Sequence, residues 1–155
     1  MSGISFVDTN VLVYNRDASE PEKRIQAQAV LERLWREESG RISFQVLQEY
    51  YAVVTRKLSQ PMPVDQARRD VANLITWKPA PNSQEMMQRA WRIQDRFGLS
   101  WWDGLIVAAA HLAKCRYLLT EDLQAGQDLD GLLVVNPFAS PSGSRLAGNT
   151  DKPKR

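Results

Sequence analysis

Short apolar runs alternate along this chain with longer segments whose apolar residues recur at the spacing of a helix. The runs at residues 4–7, 42–44, 117–120 and 132–135 have the apolar and β-branched character of buried strands. Helical spacing occupies residues 19–39, 45–58, 65–75, 83–97 and 100–114. This alternation predicts an α/β fold, a three-layer sandwich with helices flanking a mainly parallel central sheet of about four or five strands.

A chain of 155 residues has the size of one domain, and its 43% hydrophobic and 25% charged residues exclude wholesale disorder. No apolar run approaches the roughly 20 residues that span a bilayer. The first residues also lack the basic and apolar regions of a signal peptide. A single cysteine, Cys115, cannot form an internal disulfide. We therefore expect a cytoplasmic protein without membrane contact.

Polar and helix-breaking residues dominate from Ser140 onwards. We therefore predict a folded domain over residues 1–139 and a disordered basic tail over residues 140–155. The tail carries four basic residues against one acidic residue, whereas the net charge of the whole chain is only +2. The folded part is thus close to neutral, and the basic charge gives little support for a nucleic-acid partner.

Carboxylates follow two of the predicted strands where those strands end. Asp8 comes directly after the first strand, and Glu121 and Asp122 come directly after Thr120 at the end of the third. Ligands of open α/β sheets bind beyond the carboxyl ends of the strands, so these side chains can share one site if the two strands are neighbours. Asp122 lies further past the last apolar residue, which favours it over Glu121 as the carboxylate that points into the site.

Two more carboxylates lie on predicted helices in unusual surroundings. Glu49 lies beside the apolar face of its helix, and no Lys or Arg within one turn is placed to neutralise it. Asp103 lies in the first turn of the most apolar helix of the chain. A carboxylate turned toward a core is destabilising unless it is paired or bound to a metal.

Each of these carboxylates has an ordinary structural alternative. Asp8 could cap a helix, Asp103 could belong to a capping box opened by Ser100, Glu49 could pair with a distant arginine, and Asp122 could be a turn residue. Together, four carboxylates with no His or Cys among them make an oxygen-only site, which selects Mg²⁺ or Mn²⁺ over zinc. Such a site is suited to phosphoryl chemistry.

The acidic residues belong to four short motifs: Phe6-Val7-Asp8-Thr9-Asn10-Val11-Leu12, Gln48-Glu49-Tyr50-Tyr51, Leu99-Ser100-Trp101-Trp102-Asp103-Gly104-Leu105-Ile106 and Leu119-Thr120-Glu121-Asp122. In this order and spacing they resemble the successive motifs of PIN-domain ribonucleases, and most closely the VapC-type toxins of bacterial toxin–antitoxin modules. The resemblance covers roughly residues 4–137 and does not extend to the tail.

The resemblance implies a PIN-like fold and a set of four catalytic carboxylates, Asp8, Glu49, Asp103 and Asp122. Three of them would hold Mg²⁺ or Mn²⁺, namely Asp8, Asp103 and Asp122. The implied polar supports are Thr9, Asn10 and Thr120. The resemblance also implies a cytoplasmic endoribonuclease that is the toxin of a type II system, is usually a homodimer, is inhibited by a cognate antitoxin, and cleaves structured RNA such as transfer RNA.

Two further features have both a functional and a structural interpretation. Arg89, Arg92 and Arg96 form a basic stripe on one predicted helix, which could follow an RNA backbone or simply be a solvated face. Trp101 and Trp102 precede Asp103, and one of them could stack on an unpaired base, although tryptophan is more often a core or interface residue.

Other functions fit these residues less well. A phosphoacceptor signalling domain needs an adjacent acidic pair near the first strand, where only Asp8 is found. A haloacid-dehalogenase-type phosphatase needs a second Asp two residues after the first, where Asn10 stands. The alternatives that stay open are a structure-specific DNA nuclease of the same fold and a non-catalytic, RNA-binding PIN-like domain.

Overall fold

The computed structural model of the chain describes residues 3–139, so the predicted tail at residues 140–155 lies outside the described residues. Within residues 3–139 the strands are β1 (Ser5–Val7), β2 (Gly40–Arg41), β3 (Tyr117–Leu119), β4 (Asp128–Leu129) and β5 (Leu132–Val135). The helices are α1 (Thr9–Tyr14), α2 (Pro21–Glu37), α3 (Phe44–Arg56), α4 (Val64–Leu74), α5 (Gln84–Phe97) and α6 (Trp101–Leu112). A 3₁₀ turn, Ile75–Trp77, extends α4.

The strands form one sheet in the order β2-β1-β3-β5-β4. The pairs β1/β2, β1/β3 and β3/β5 are parallel, and only β4 runs antiparallel, to β5. Asp130 and Gly131 join β4 to β5 with positive φ angles of 55° and 93°. These angles are those of a tight two-residue hairpin turn, for which Asp-Gly is a favoured pair. The expected mainly parallel sheet of four or five strands is confirmed.

Helix α6 is the most buried helix of the described chain, as its apolar sequence predicts. Every residue from Gly104 to Ala110 is buried. A Cβ atom at Gly104 would lie 3.2 Å from the carbonyl oxygen of Ala90, so the glycine lets α6 approach α5 closely. The apolar faces of α3 and α5 pack into the same core as the sheet. No helix among the described residues is long and apolar enough to cross a membrane.

Several local predictions are wrong. The second strand is Gly40–Arg41 rather than residues 42–44, because the Ser43 hydroxyl accepts a hydrogen bond from the Val46 amide and begins α3 at Phe44. Residues 11–14, which were assigned to no predicted strand or helix, lie in α1. The helix predicted from residue 65 begins at Val64, with Pro63 at the cap position and Asp65 in the first turn. The short β4 was not predicted.

The sheet order brings the ends of β1 and β3 together. These strands are parallel neighbours in a register that pairs Val7 with Leu119. The residues that follow, Asp8 and Thr120, therefore lie side by side at the carboxyl edge of the sheet. A hydrogen bond of 3.0 Å from the Asp8 amide to the Leu119 carbonyl continues the pairing to this point.

Candidate functional site

A cleft of about 480 Å³ opens at the carboxyl edge of the sheet. Five carboxylates line it. Four are those singled out in the sequence, and they come from four separate segments: Asp8 after β1, Glu49 on α3, Asp103 on α6 and Asp122 after β3. The fifth is Asp17, which follows α1. No His, Cys, Lys or Arg is among the described residues that line it. The four acidic residues singled out in the sequence thus meet in space.

Asp8 is the most buried of the four, with only 8% of its surface exposed. One carboxylate oxygen accepts a hydrogen bond of 2.7 Å from the Thr9 amide, which caps α1, and the other accepts one of 2.8 Å from the Thr120 hydroxyl. Burial nevertheless raises the pKa of Asp8 to about 6, and the neighbouring carboxylates add to the rise. Asp8 therefore does cap α1, as one interpretation of the sequence suggested. Capping alone does not explain why its carboxylate is buried, because a helix cap can lie at the surface.

Glu49 is half-buried, and its partners are uncharged. The Thr9 hydroxyl donates a hydrogen bond of 2.7 Å to one carboxylate oxygen, and the Gln45 amide donates one of 3.3 Å to the other. The sequence suggested that a nonlocal partner neutralises this carboxylate, and the nonlocal partner is Thr9, a hydroxyl rather than an arginine. The charge of Glu49 is thus oriented by hydrogen bonds without being cancelled.

Asn10 joins the two strand ends. Its amide nitrogen donates to the Thr120 hydroxyl at 3.2 Å and to the Asp122 carboxylate at 3.1 Å. The Thr120 hydroxyl also accepts a 3.0 Å bond from the Asp122 amide, so it has three partners in all. These contacts place Thr9, Asn10 and Thr120 against the acidic side chains; that they support a catalytic set stays a prediction.

The structure distinguishes Asp122 from its neighbour Glu121. The Glu121 carboxylate accepts a 2.7 Å hydrogen bond from the Tyr14 hydroxyl and forms a 2.9 Å ion pair with Lys23. Asp122 instead lines the cleft beside Asn10. The inward carboxylate is therefore Asp122, in agreement with its position past the strand.

Asp103 lies in the first turn of α6, and its amide donates a 3.1 Å hydrogen bond to the Ser100 hydroxyl, which caps the helix. Burial raises the pKa of the Asp103 carboxyl, and the charges of Asp122 and Glu49 raise it further. Asp103 lines the same cleft as Glu49 and Asp122.

The donor chemistry of the cleft fits a hard divalent cation, because every charged group is a carboxylate. Asn10 also lines the cleft, and its buried side-chain oxygen has no hydrogen-bond partner. This oxygen is a free electron-pair donor that could ligate a cation. As the side chains stand, no three His, Cys, Asp or Glu residues within residues 3–139 are grouped closely enough to hold a metal ion. Binding a cation would therefore exchange some of the hydrogen bonds of Asp8 and Asp122 for metal–oxygen contacts.

Sequence reasoning missed several residues of the cleft. Gln45 and Asp17 line it, and Tyr14 both lines it and binds Glu121. Gln45 was detectable in principle, because it lies four residues before Glu49 on the same helix face. Tyr14 ends α1 and Asp17 follows it, and the sequence suggested this helix only as one that Asp8 could cap, so their positions could not be inferred.

The basic stripe lies away from the cleft. Arg89, Arg92 and Arg96 line a second cavity of about 510 Å³ together with Lys114, at the carboxyl end of α6. Asp103 is at the opposite end of that helix, about 15 Å away at 1.5 Å per residue. Arg96 forms an ion pair of 3.0 Å with Asp130.

The fold and the cleft define an α/β protein with an acidic site at the carboxyl edge of a parallel sheet. A profile of the PIN domain family matches residues 5–127, which is most of the chain. The chain therefore belongs to the PIN domain family, and the fold inferred from the four motifs is confirmed.

Two solved structures show the same fold. One, a toxin–antitoxin complex from Klebsiella pneumoniae, has 22% identity and a TM-score of 0.62, and the match covers 86% of this chain and 97% of the other. The other is the Mycobacterium tuberculosis toxin VapC20, described as cleaving the sarcin–ricin loop. It has 18% identity and a TM-score of 0.50, with 74% and 86% of the two chains covered. No curated protein matches the sequence.

Proposed function

We propose that the protein is an endoribonuclease dependent on Mg²⁺ or Mn²⁺ that hydrolyses RNA phosphodiester bonds. The observation that carries the proposal is the meeting of the four predicted carboxylates, together with Asp17, in one cleft without a basic side chain. Such a cleft repels phosphate unless a cation intervenes. Membership of the PIN domain family supports a nuclease.

In this proposal Asp8, Asp103 and Asp122 hold the metal. A bound Mg²⁺ or Mn²⁺ supplies an activated water and offsets negative charge on the phosphate. The Thr120 and Asn10 side chains keep Asp8 and Asp122 in position. Glu49, oriented by Thr9 and Gln45, is available to orient the attacking water and to accept its proton.

The basic stripe has a separate role in the proposal. Arg89, Arg92 and Arg96 would contact phosphates of the RNA outside the cleft, as would Lys114 in the same cavity. Arg96 already forms an ion pair with Asp130, so Arg89 and Arg92 are expected to contribute more to the binding of RNA phosphates. Such contacts would strengthen binding without selecting a sequence.

We further propose that the protein acts as the toxin of a type II toxin–antitoxin system in the cytoplasm. The support is the match to a toxin–antitoxin complex and to a toxin described as cleaving the sarcin–ricin loop. The proposed partners are a cognate antitoxin, a second copy of the chain in a homodimer, and structured RNA such as transfer RNA.

Cleavage of purified nucleic acids tests the enzymatic proposal. Total cellular RNA and single- and double-stranded DNA are incubated with the protein in Mg²⁺ or Mn²⁺, with and without EDTA. RNA should be cut at internal positions, and EDTA should stop the reaction. Cleavage that EDTA leaves unchanged would contradict the metal mechanism, and cleavage of DNA alone would favour the DNA nuclease.

The toxin proposal needs its own experiment. The protein is co-expressed with the product of the neighbouring open reading frame, purified, and analysed by size-exclusion chromatography. A stable complex in which RNA cleavage is suppressed, together with growth arrest when the protein is expressed alone, is the expected result. An active protein that forms no complex and does not slow growth would indicate a housekeeping nuclease.

A further inference from the structure

A second groove, of about 480 Å³, adjoins the acidic cleft. The two share Gln45 and Trp102, so they are neighbours on either side of these residues. Other lining side chains of the groove are Gln48, Asn82, Met87 and Trp101. We call this the Trp102 groove.

The chemistry of the Trp102 groove differs sharply from that of the cleft. No charged side chain is among the described residues that line it. Trp102 is 62% exposed, and Met87 is also exposed, although both are large apolar side chains. The neighbouring Trp101 also lines the groove. It is half-buried and stacks on Trp91 with ring centroids 6.4 Å apart.

The polar groups of the Trp102 groove are mainly side-chain amides. Gln48 and Asn82 each offer one acceptor oxygen and two donor hydrogens. Gln45 offers its oxygen and one donor hydrogen, because its amide already donates to Glu49. Amides can pair with the donor and acceptor edges of any nucleobase, and an exposed indole offers a stacking surface that every base can use. Phosphate would find no cation here.

The size of the groove also limits its occupant. Its volume lies within the roughly 300–1,000 Å³ typical of pockets for small ligands. A stable protein partner needs about 1,000 Å² or more of buried surface. One planar, uncharged group fits the volume of the groove. It does not need the area of a protein interface if it belongs to a chain that also lies in the acidic cleft.

We propose that the Trp102 groove takes an unpaired nucleobase of the RNA next to the phosphate that lies in the cleft, stacked on Trp102. This inference rests on the proposed function, because it places the RNA backbone at the four carboxylates. It makes Trp102 a binding residue that favours unpaired over paired RNA, since a base in a duplex cannot reach the indole.

The test measures binding rather than cleavage. Fluorescence anisotropy is recorded in Ca²⁺, an oxygen-ligated cation that can offset the carboxylate charge, with two labelled probes: a single-stranded RNA of ten nucleotides of random sequence, and an abasic ribose–phosphate chain of the same length. The proteins are the full chain, Trp102→Ala, Trp102→Phe, and the control Trp35→Phe, which changes a half-exposed tryptophan that packs on Trp77 outside the groove.

Trp102→Ala should lower the affinity for the RNA by about tenfold and leave that for the abasic chain unchanged, whereas Trp102→Phe should keep most of the affinity. Trp35→Phe should bind both probes as the unchanged chain does. Equal losses on both probes, or no loss on either, would overturn the proposal. So would a homodimer of the full chain that dissociates in Trp102→Ala, because Trp102 would then be an interface residue. A chain that shows the Trp102-dependent preference for bases yet cleaves no RNA would refute the hydrolysis alone.

Discussion

The buried carboxylate of Asp8 is a source of pH dependence in the metal-free protein. Its pKa is raised to about 6 in the fold, mainly by burial, from the 3.8 of an unperturbed aspartate. Below about pH 4 both the folded and the unfolded chain hold the proton. Between pH 4 and 6 only the folded chain still holds it, so the free energy of unfolding falls as pH rises through this window and is level above it.

We therefore expect urea unfolding in EDTA to show a loss of up to about 3 kcal/mol between pH 4 and 6, from a pKa rise of about two units. Asp8→Asn should remove most of this slope, because it cannot ionise. Identical pH profiles for the two proteins would show that the carboxylate is not strained in the fold.

Glu121 and Asp122 make a matched pair of adjacent carboxylates with different contacts. Glu121 binds Tyr14 and Lys23, whereas Asp122 lines the cleft. Glu121→Gln should leave RNA cleavage within about threefold and lower stability by about 1 kcal/mol or less, the usual range for a partly exposed ion pair. Asp122→Asn should reduce cleavage by about 100-fold or more, since it removes a proposed metal ligand. The opposite ranking would reassign the inward carboxylate.

The four carboxylates could be selected from the sequence because each is unusual for its place: two lie just past apolar strands, and two lie against apolar helix faces. Their hydrogen-bond partners could not be predicted. The bond from Thr9 to Glu49 joins residues 40 positions apart, and the bond from Asn10 to Asp122 spans 112. Such contacts depend on how α1 and α3 sit against the sheet, which local spacing does not encode.

Among the elements, β2 packs closely against the 3₁₀ turn that follows α4. A Cβ atom at Gly40 would lie 2.5 Å from two ring atoms of the buried Trp77. Gly40→Ala should therefore lower the free energy of unfolding by about 1–3 kcal/mol, as overpacking does. The control is Ser39→Ala, whose buried hydroxyl has no hydrogen-bond partner and whose loss should be nearly neutral. Equal stability of both variants in urea would contradict the close packing.

The elements that the sequence missed are the shortest α-helix and one of the two shortest strands of the described chain. Helix α1 has six residues, less than two turns, and β4 has two, so neither is long enough to show a repeating apolar pattern. The displacement of β2 has another cause, since Ile42 is buried and apolar but the Ser43 cap ends the extended segment. Long helices such as α5 and α6 were predicted closely because Ser83, Gly98 and Ser100 mark their ends.

At the scale of the whole molecule, the described domain is expected to fold without residues 141–155. That segment contains only Leu146 and Ala147 as apolar residues, too few to add to a core that residues 3–139 already enclose. Truncation after Ser140 should change the melting temperature by less than about 2 °C. The affinity for RNA should fall, because four basic residues are lost. A large drop in melting temperature would show that the segment packs against the domain.

The fold brings Asp8, Glu49, Asp103 and Asp122 together from distant parts of the chain. Without a cation, their negative charges repel one another. Asp103→Asn keeps the size of the side chain and removes one of those charges. The metal-free variant should therefore be as stable as the unchanged chain or more stable. The matched control is Asp95→Asn, at an exposed position of α5 that does not line the cleft.

The shift in melting temperature on adding Mn²⁺ to these three proteins reports whether the carboxylates bind a cation. The unchanged chain and Asp95→Asn should melt about 5–10 °C higher when Mn²⁺ is about 100-fold above its dissociation constant, because the cation binds only the folded state. Asp103→Asn should show a much smaller shift. An equal shift in all three proteins, or none in the unchanged chain, would contradict the claim that the four carboxylates form a metal-dependent site.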